Sequence, residues 1–279
     1  FFASLRNYDK IYDITIANLY LIYMKKNIAK LVNSLDRFLH VKFDFLNVGK
    51  AGQFNKNYSW IYKYLREDIT QLSNKTFIEV GSRDLLDSLD ILSEFNFSEC
   101  YVFEPSHVGI KEIIKNLRQN IKFSKKIIFF PFALGDSSSI SNFYEPTFIQ
   151  KGHIRANIGA SATFGQENMN NLKYKVPIFE LDSLNINFEN NYLIIMDCEG
   201  SEYSVLLGSK SALKNSKYVC LETSYITEKG NCLDIKEFLE SENYKLLDCD
   251  WPNVFQYSLP KKEEVQDSKF CLLFKNNAW

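Results

Sequence analysis

The chain has 279 residues, 46% apolar and 24% charged, with 33 Lys and Arg against 34 Asp and Glu. This composition belongs to a globular protein long enough for one large domain and an appendage. The formal net charge of -1 and the scattered lysines, densest at Lys122, Lys125 and Lys126, argue against a nucleic-acid partner.

Residues 1–73 read as an N-terminal helical arm. Ile11, Ile14, Leu19, Ile22, Ile28, Leu31, Val32, Leu35, Phe38 and Leu39 recur at three- and four-residue steps, and no Gly or Pro interrupts them before Gly49. Such a stripe suits packing on the core or on a second copy, so a homodimer through these helices is expected. Trp60 to Leu72 resumes a helix. From Thr76, strands and helices alternate. The strands read as Thr76–Val80, Cys100–Phe103, Ile127–Phe132, Leu193–Met196 and Tyr218–Glu222, with helices at Leu85–Phe95, Ile110–Asn120, Ser204–Leu213 and Asp234–Ser241. Tyr244–Trp251 and Lys269–Lys275 read as a closing antiparallel pair. This rhythm predicts an α/β domain with a mostly parallel sheet over residues 74–279. Between the third and fourth strands lies an insert, residues 142–191, with glycines at 152, 159 and 165. Loops of that length are commonly lids or binding loops.

Six cysteines, at 100, 198, 220, 232, 249 and 271, form no Cys-x-x-Cys pair. Buried reduced thiols in a reducing, cytoplasmic compartment are the expectation. No apolar run approaches the ~20 residues of a membrane span; the nearest, Ile16 to Met24, is interrupted by Asn18.

Three strands end in carboxylates. Thr76-Phe77-Ile78-Glu79-Val80-Gly81 is apolar, then acidic, then glycine; Cys100 to Glu104-Pro105 is apolar, then acidic, then a turn; Ile194-Ile195-Met196 runs into Asp197-Cys198-Glu199-Gly200-Ser201-Glu202. Buried parallel strands deliver such side chains to the carboxyl edge of the sheet, where ligands of open α/β folds bind. Glu79 can accept from an ammonium group. Glu104, about 25 residues further on, can take ribose hydroxyls. The competing reading is that both carboxylates cap helix N-termini. There is no G-x-G-x-x-G, which favours a nucleoside without pyrophosphate over a dinucleotide. Asp197 and Glu222 end neighbouring strands and can act as general base and orienter, or begin an oxygen-ligand site for one divalent cation. Glu202 fits the first turn of a helix, where acidic residues meet the helix dipole. His40 reads as surface or packing. His107 suits a helix start or a ligand contact, and His153 in the insert is the best histidine candidate for a base.

Glu79-Val80-Gly81, Phe103-Glu104-Pro105, Ala133-Leu134-Gly135-Asp136, Glu180-Leu181-Asp182-Ser183-Leu184, Asp197 to Glu202 and Leu221-Glu222, in this order, resemble the FkbM-type methyltransferases. The resemblance implies a Rossmann-like seven-stranded fold and S-adenosylmethionine as cofactor. It implies that Glu79, Gly81 and the turn Ser82-Arg83-Asp84 border the methionine part. Glu104 would hold the ribose, with Pro105 and Ser106 beside it. Ala133 and Leu134 would flank the adenine with Asp136 nearby, and Asp197 would lie under the sulfonium. It implies methyl transfer to a hydroxyl of a small sugar-type acceptor, with Asp197, Glu199, Glu222 and His153 as the candidate catalytic groups. A divalent metal is not favoured, two strand-end carboxylates being a thin oxygen shell. One departure stands out. The family's usual turn is Gly-Ala-Asn-x-Gly, and this chain has Gly81-Ser82-Arg83-Asp84-Leu85. Leu85 in place of glycine is the best support for a different reading, a non-catalytic nucleoside-binding or assembly module on the same fold.

Overall fold

The computed structural model describes residues 57–150, 153–156, 163–164, 171–226, 230–251, 257–265 and 268–279. The Ile11–Leu39 stripe, His40 and the run 159–162 lie outside the described residues. So do the side chain of His153 and the dimer expected through the N-terminal helices.

Among the described residues twelve strands follow in chain order: β1 Thr76–Val80, β2 Glu99–Phe103, β3 Ile127–Phe130, β4 Ala133–Leu134, β5 Ser139–Gln150, β6 His153–Ala156, β7 Thr163–Phe164, β8 Asn171–Phe179, β9 Asn191–Met196, β10 Tyr218–Thr223, β11 Tyr244–Cys249 and β12 Phe270–Asn276. Seven of them form the main sheet in the order β11-β12-β10-β9-β1-β2-β3. The pairs from β3 to β10 are parallel, and β12 is antiparallel to both β10 and β11. This is the expected Rossmann-like sheet with its closing antiparallel pair. Its central strands are buried on both faces, which is why they read as unbroken apolar runs. Side chains alternate between the faces. Phe77, Leu193, Ile195 and Cys220 join one core cluster, whereas Ile78, Val80, Ile194 and Met196 join the other.

Three differences from the sequence reading have local causes. The third strand stops at Phe130, before Pro131, which has no N–H for the ladder. The helix expected over Ser204–Leu213 is two, Glu202–Leu207 and Lys210–Asn215, on either side of Gly208. The stretch from Trp60 to Leu72 holds only Tyr62–Arg66 as α-helix. Its Tyr58, Ile61, Tyr62, Leu65 and Leu72 are buried in the same cluster as Phe77 and Leu193, so the domain core draws on residues before 74.

The insert is not a bare loop. β5 and β8 pair antiparallel from Ser139↔Ile178 to Pro146↔Asn171. With β4, β6 and β7 they make a second, five-stranded sheet. All six cysteines are free thiols. No helix among the described residues is long and apolar enough to cross a membrane.

Candidate active site

Strand order reverses between β1 and β9, and the crevice outside the carboxyl ends of such strands is where open α/β sheets bind ligands. Gly81 follows β1 and Asp197 follows β9. The Asp197 N–H donates to the Val80 carbonyl at 2.9 Å. A Cβ on Gly81, whose φ is +84, would lie 1.9 Å from the Asp197 carbonyl oxygen, so only glycine fits here.

Two cavities open at this edge. The larger encloses about 720 Å³ of empty space, part of it open to solvent. Its apolar wall comprises Val80, Phe103, Phe132, Ala133, Leu134, Phe143 and Val205, and its polar rim Glu104, Ser106, Asp197, Glu199 and Ser201. The smaller, about 320 Å³, is lined by Asn57, Tyr58, Glu79, Ser82, Asp87 and Ile195. Val80, Gly81, Arg83 and Asp197 border both. Strand alternation explains the split. Glu79 shares a face with Phe77, so its carboxyl enters the smaller cavity only, where Ser88 Oγ donates to it. Burial, with the Asp87 charge next, pushes the Glu79 carboxyl well above the usual range.

Glu104 is held on both oxygens. The Arg83 N–H donates to Oε2 at 2.7 Å and the Ser106 N–H to Oε1 at 2.7 Å. Each oxygen keeps a further lone pair for an incoming hydroxyl. Burial raises this carboxyl to about 7, while the two backbone donors pull the other way. Gly109, in the first turn of the helix His107–Gln119, leaves room for it, since a Cβ there would lie 2.7 Å from Glu104 Cγ. Ser106 caps that helix, accepting from the Gly109 N–H at 3.0 Å. Its own hydroxyl donates to Glu145 on β5 at 2.6 Å, and Tyr174 on β8 donates to the same carboxylate at 2.9 Å. The second sheet is thereby fastened to the turn that carries Glu104.

The turn after β1 takes left-handed backbone at three positions. Gly81, Arg83 and Leu85 have φ of +84, +53 and +73. These are the positions of Gly, Asn and Gly in Gly-Ala-Asn-x-Gly, the residue types that accept left-handed backbone at least cost. Leu85 is fully buried in the core and borders neither cavity. Its departure is absorbed as backbone strain, not as a side chain in the site.

Ligand atoms of Asp197, Glu199 and Glu222 lie within 4.8 Å of one another. Lys269, immediately before β12, donates to Glu199 and, at 2.7 Å, to Glu222 Oε2. Asp197 Oδ1 is buried with no hydrogen-bond partner among the described residues. Burial, and then the Glu222 and Glu199 charges, raise the Asp197 carboxyl to about 8. Burial alone would lower the Lys269 ammonium, but its bonds to the two glutamates outweigh that and raise it.

Other expected residues fall elsewhere. Asp84 borders neither cavity; its carboxylate accepts from the Leu86 N–H at 3.1 Å and starts a helix. Asp136 is exposed, its N–H donating to Ser204 Oγ, because the chain turns away from the cleft after Leu134. His107 stacks on Tyr174 at 3.8 Å and borders neither cavity. Tyr225 donates to the Pro260 carbonyl. Glu202 accepts from the Cys198 and Gly200 N–H groups, so it shapes the turn. Pro105 lines the larger cavity. The backbone of His153 lies in β6. Sequence reasoning missed Lys269, Glu145, Gly109 and Asp87. The alternation Leu172-Lys173-Tyr174-Lys175-Val176 could have revealed β8, and with it the wall that carries Glu145.

A profile of the FkbM methyltransferase domain matches residues 79–246. The chain belongs to the FkbM methyltransferase family. Members are S-adenosylmethionine-dependent methyltransferases, and the matched span contains both cavities' principal walls. No curated protein matches the chain significantly. Among solved structures, it is similar to the methyltransferase FkbM from Methylobacillus flagellatus KT, at 16% identity and a TM-score of 0.47, covering 72% of this chain and 44% of that one. The chain thus spans less than half the length of that relative. It is also similar to the M1A22 tRNA methyltransferase TrmK of B. subtilis, at 10% identity and a TM-score of 0.40, covering 81% and 67%. TrmK of M. capricolum, in complex with S-adenosylhomocysteine, matches at 8% identity and a TM-score of 0.40, covering 75% and 68%.

Proposed function

We propose that this FkbM domain transfers a methyl group from S-adenosylmethionine to a hydroxyl of a sugar, sugar nucleotide or glycan precursor. The observation that carries this reading is Asp197, a buried carboxyl at about 8 with an unpartnered oxygen at the junction of two cavities. A carboxyl with a pKa near operating pH is suited to take the proton of a hydroxyl.

The residues fit the cofactor. Glu104 offers free lone pairs for two ribose hydroxyls, and Phe103, Phe132, Ala133, Leu134 and Phe143 form an apolar wall for an adenine. Glu79 and Asp87 give the smaller cavity the carboxyl oxygens that an ammonium group can donate to. When bound, S-adenosylmethionine supplies a methyl group made electrophilic by its sulfonium. The protein's work is positioning, with Asp197 holding the acceptor hydroxyl in line and receiving its proton. Asp197, Glu199 and Glu222 form a polar rim suited to a hydroxyl-rich acceptor. Lys269 already supplies a cation to the two glutamates, which favours catalysis without a divalent metal.

Release of S-adenosylhomocysteine over a panel of sugar nucleotides, with and without EDTA, tests the reading. Turnover that survives EDTA and is lost in Asp197→Asn is expected. Activity on RNA or a protein side chain alone would overturn the acceptor class and leave the methyltransferase standing. Dimerisation through Ile11–Leu39 is a separate proposal, checked by light scattering with and without residues 1–46.

A further inference from the structure

Among the described residues Arg83 is the one lysine or arginine bordering either cavity, and it borders both. Its surroundings are acidic: Glu79, Asp87 and Asp197 line the smaller cavity and Glu104 the larger. The charge of Arg83 acts on Asp87 and on Glu104. Among the described residues no carboxylate holds the guanidinium closely, the ion pair there being with Asp84 Oδ2 at 3.7 Å from Nε. The backbone position is fixed by the bond from the Arg83 N–H to Glu104 at 2.7 Å. A long side chain at φ +53 is unfavourable, and such outliers persist where the side chain has a task. An amino-acid end bears an ammonium and a carboxylate on one carbon, so its site needs both signs close together. The three carboxyl groups offer acceptor oxygens to the ammonium, and Arg83 offers the positive charge that the carboxylate needs.

We propose that Arg83 binds the carboxylate of the aminocarboxyl end of S-adenosylmethionine. A guanidinium presents paired donors to a carboxylate, which the asparagine of the usual turn cannot match in charge or reach. This assignment rests on the cofactor site proposed above.

Calorimetry with two nucleosides separates the claims. S-adenosylhomocysteine has the aminocarboxyl end; 5′-methylthioadenosine keeps the nucleoside and lacks it. Arg83→Gln is expected to weaken S-adenosylhomocysteine about tenfold, the fold-change of one half-exposed charge-assisted contact, and to leave 5′-methylthioadenosine unchanged. Arg83→Asn, which suits left-handed backbone, is expected to show the same selective loss with a Tm no lower than wild type, which separates recognition from folding. Equal loss for both nucleosides, or loss for neither, overturns the proposal while the cofactor site stands. A wild type that binds neither nucleoside overturns the site and the proposal together.

Discussion

The backbone carbonyl of Asp197 occupies the space in which a side chain on Gly81 would begin, 1.9 Å from an ideal Cβ. The two residues follow β1 and β9 directly, so this close approach at the sheet edge is also the junction of the two cavities. Gly81→Ala must either push β9 away or leave the left-handed region. A loss of about 3 kcal/mol is expected, read as a fall in Tm of roughly 6–12 °C. A Tm within 2 °C of wild type, about half a kcal/mol, would refute the close approach.

Cofactor affinity is expected to depend on pH through Glu104. Hydroxyl donors favour the ionised carboxylate, whereas the empty site holds a proton up to about 7. Binding below that pH must release the proton. Affinity for S-adenosylhomocysteine should therefore rise about tenfold per unit up to pH 7 and level off above it. Glu104→Gln should bind more weakly and show no such slope. The same group acts oppositely on folding. Its raised pKa means that the unfolded chain gives up a proton that the folded one keeps. Stability without ligand should fall as pH rises from about 4.5 through 7, as urea midpoints would show.

The rate is expected to follow Asp197. Below about 8 the carboxyl is protonated and cannot accept the hydroxyl proton, so kcat/KM should climb with pH toward that value. Asp197→Asn should lose about 10²- to 10⁴-fold. Lys269 favours the ionised form of Asp197. Lys269→Met should therefore move the midpoint upward, and Lys269→Arg should restore it. A pH–rate profile unmoved by Lys269→Met would remove Lys269 from the chemistry.

Leu85 tests which of two costs dominates. Leu85→Gly relieves about 1–2 kcal/mol of left-handed strain. It also empties a fully buried leucine site, a loss of about 2–5 kcal/mol. The cavity should win, with net destabilisation of about 2 kcal/mol, measured by urea unfolding. A more stable glycine variant would show that the core collapses around residue 85.

Residues at the ends of apolar runs were legible because a parallel strand buried on both faces announces itself and its terminus. Gly81, Glu104 and Asp197 lie at the strand edge where their runs place them. The same pattern does not say which face a carboxylate takes, so the placement of Glu79 in the smaller cavity required the register. Lys269 had no local signal. It reaches Glu199 and Glu222 only because β12 runs antiparallel and begins where β10 ends. Glu145 was hidden by reading the insert as loop, although its strands alternate. Arg83 and Leu85 stood out as departures, yet their cost is backbone dihedral, which no side-chain inventory displays.

β12 lies between β10 and β11 although it follows both in the chain. On a ribosome, β11 therefore emerges with no neighbour to pair with and must wait for a strand not yet made. Lys269 arrives at the same late moment. A product halted before Lys269 would carry the cavity-lining residues of β1, β2 and β9, an unpaired sheet edge and three acids without their cation, a species prone to edge-to-edge association and recognisable to chaperones.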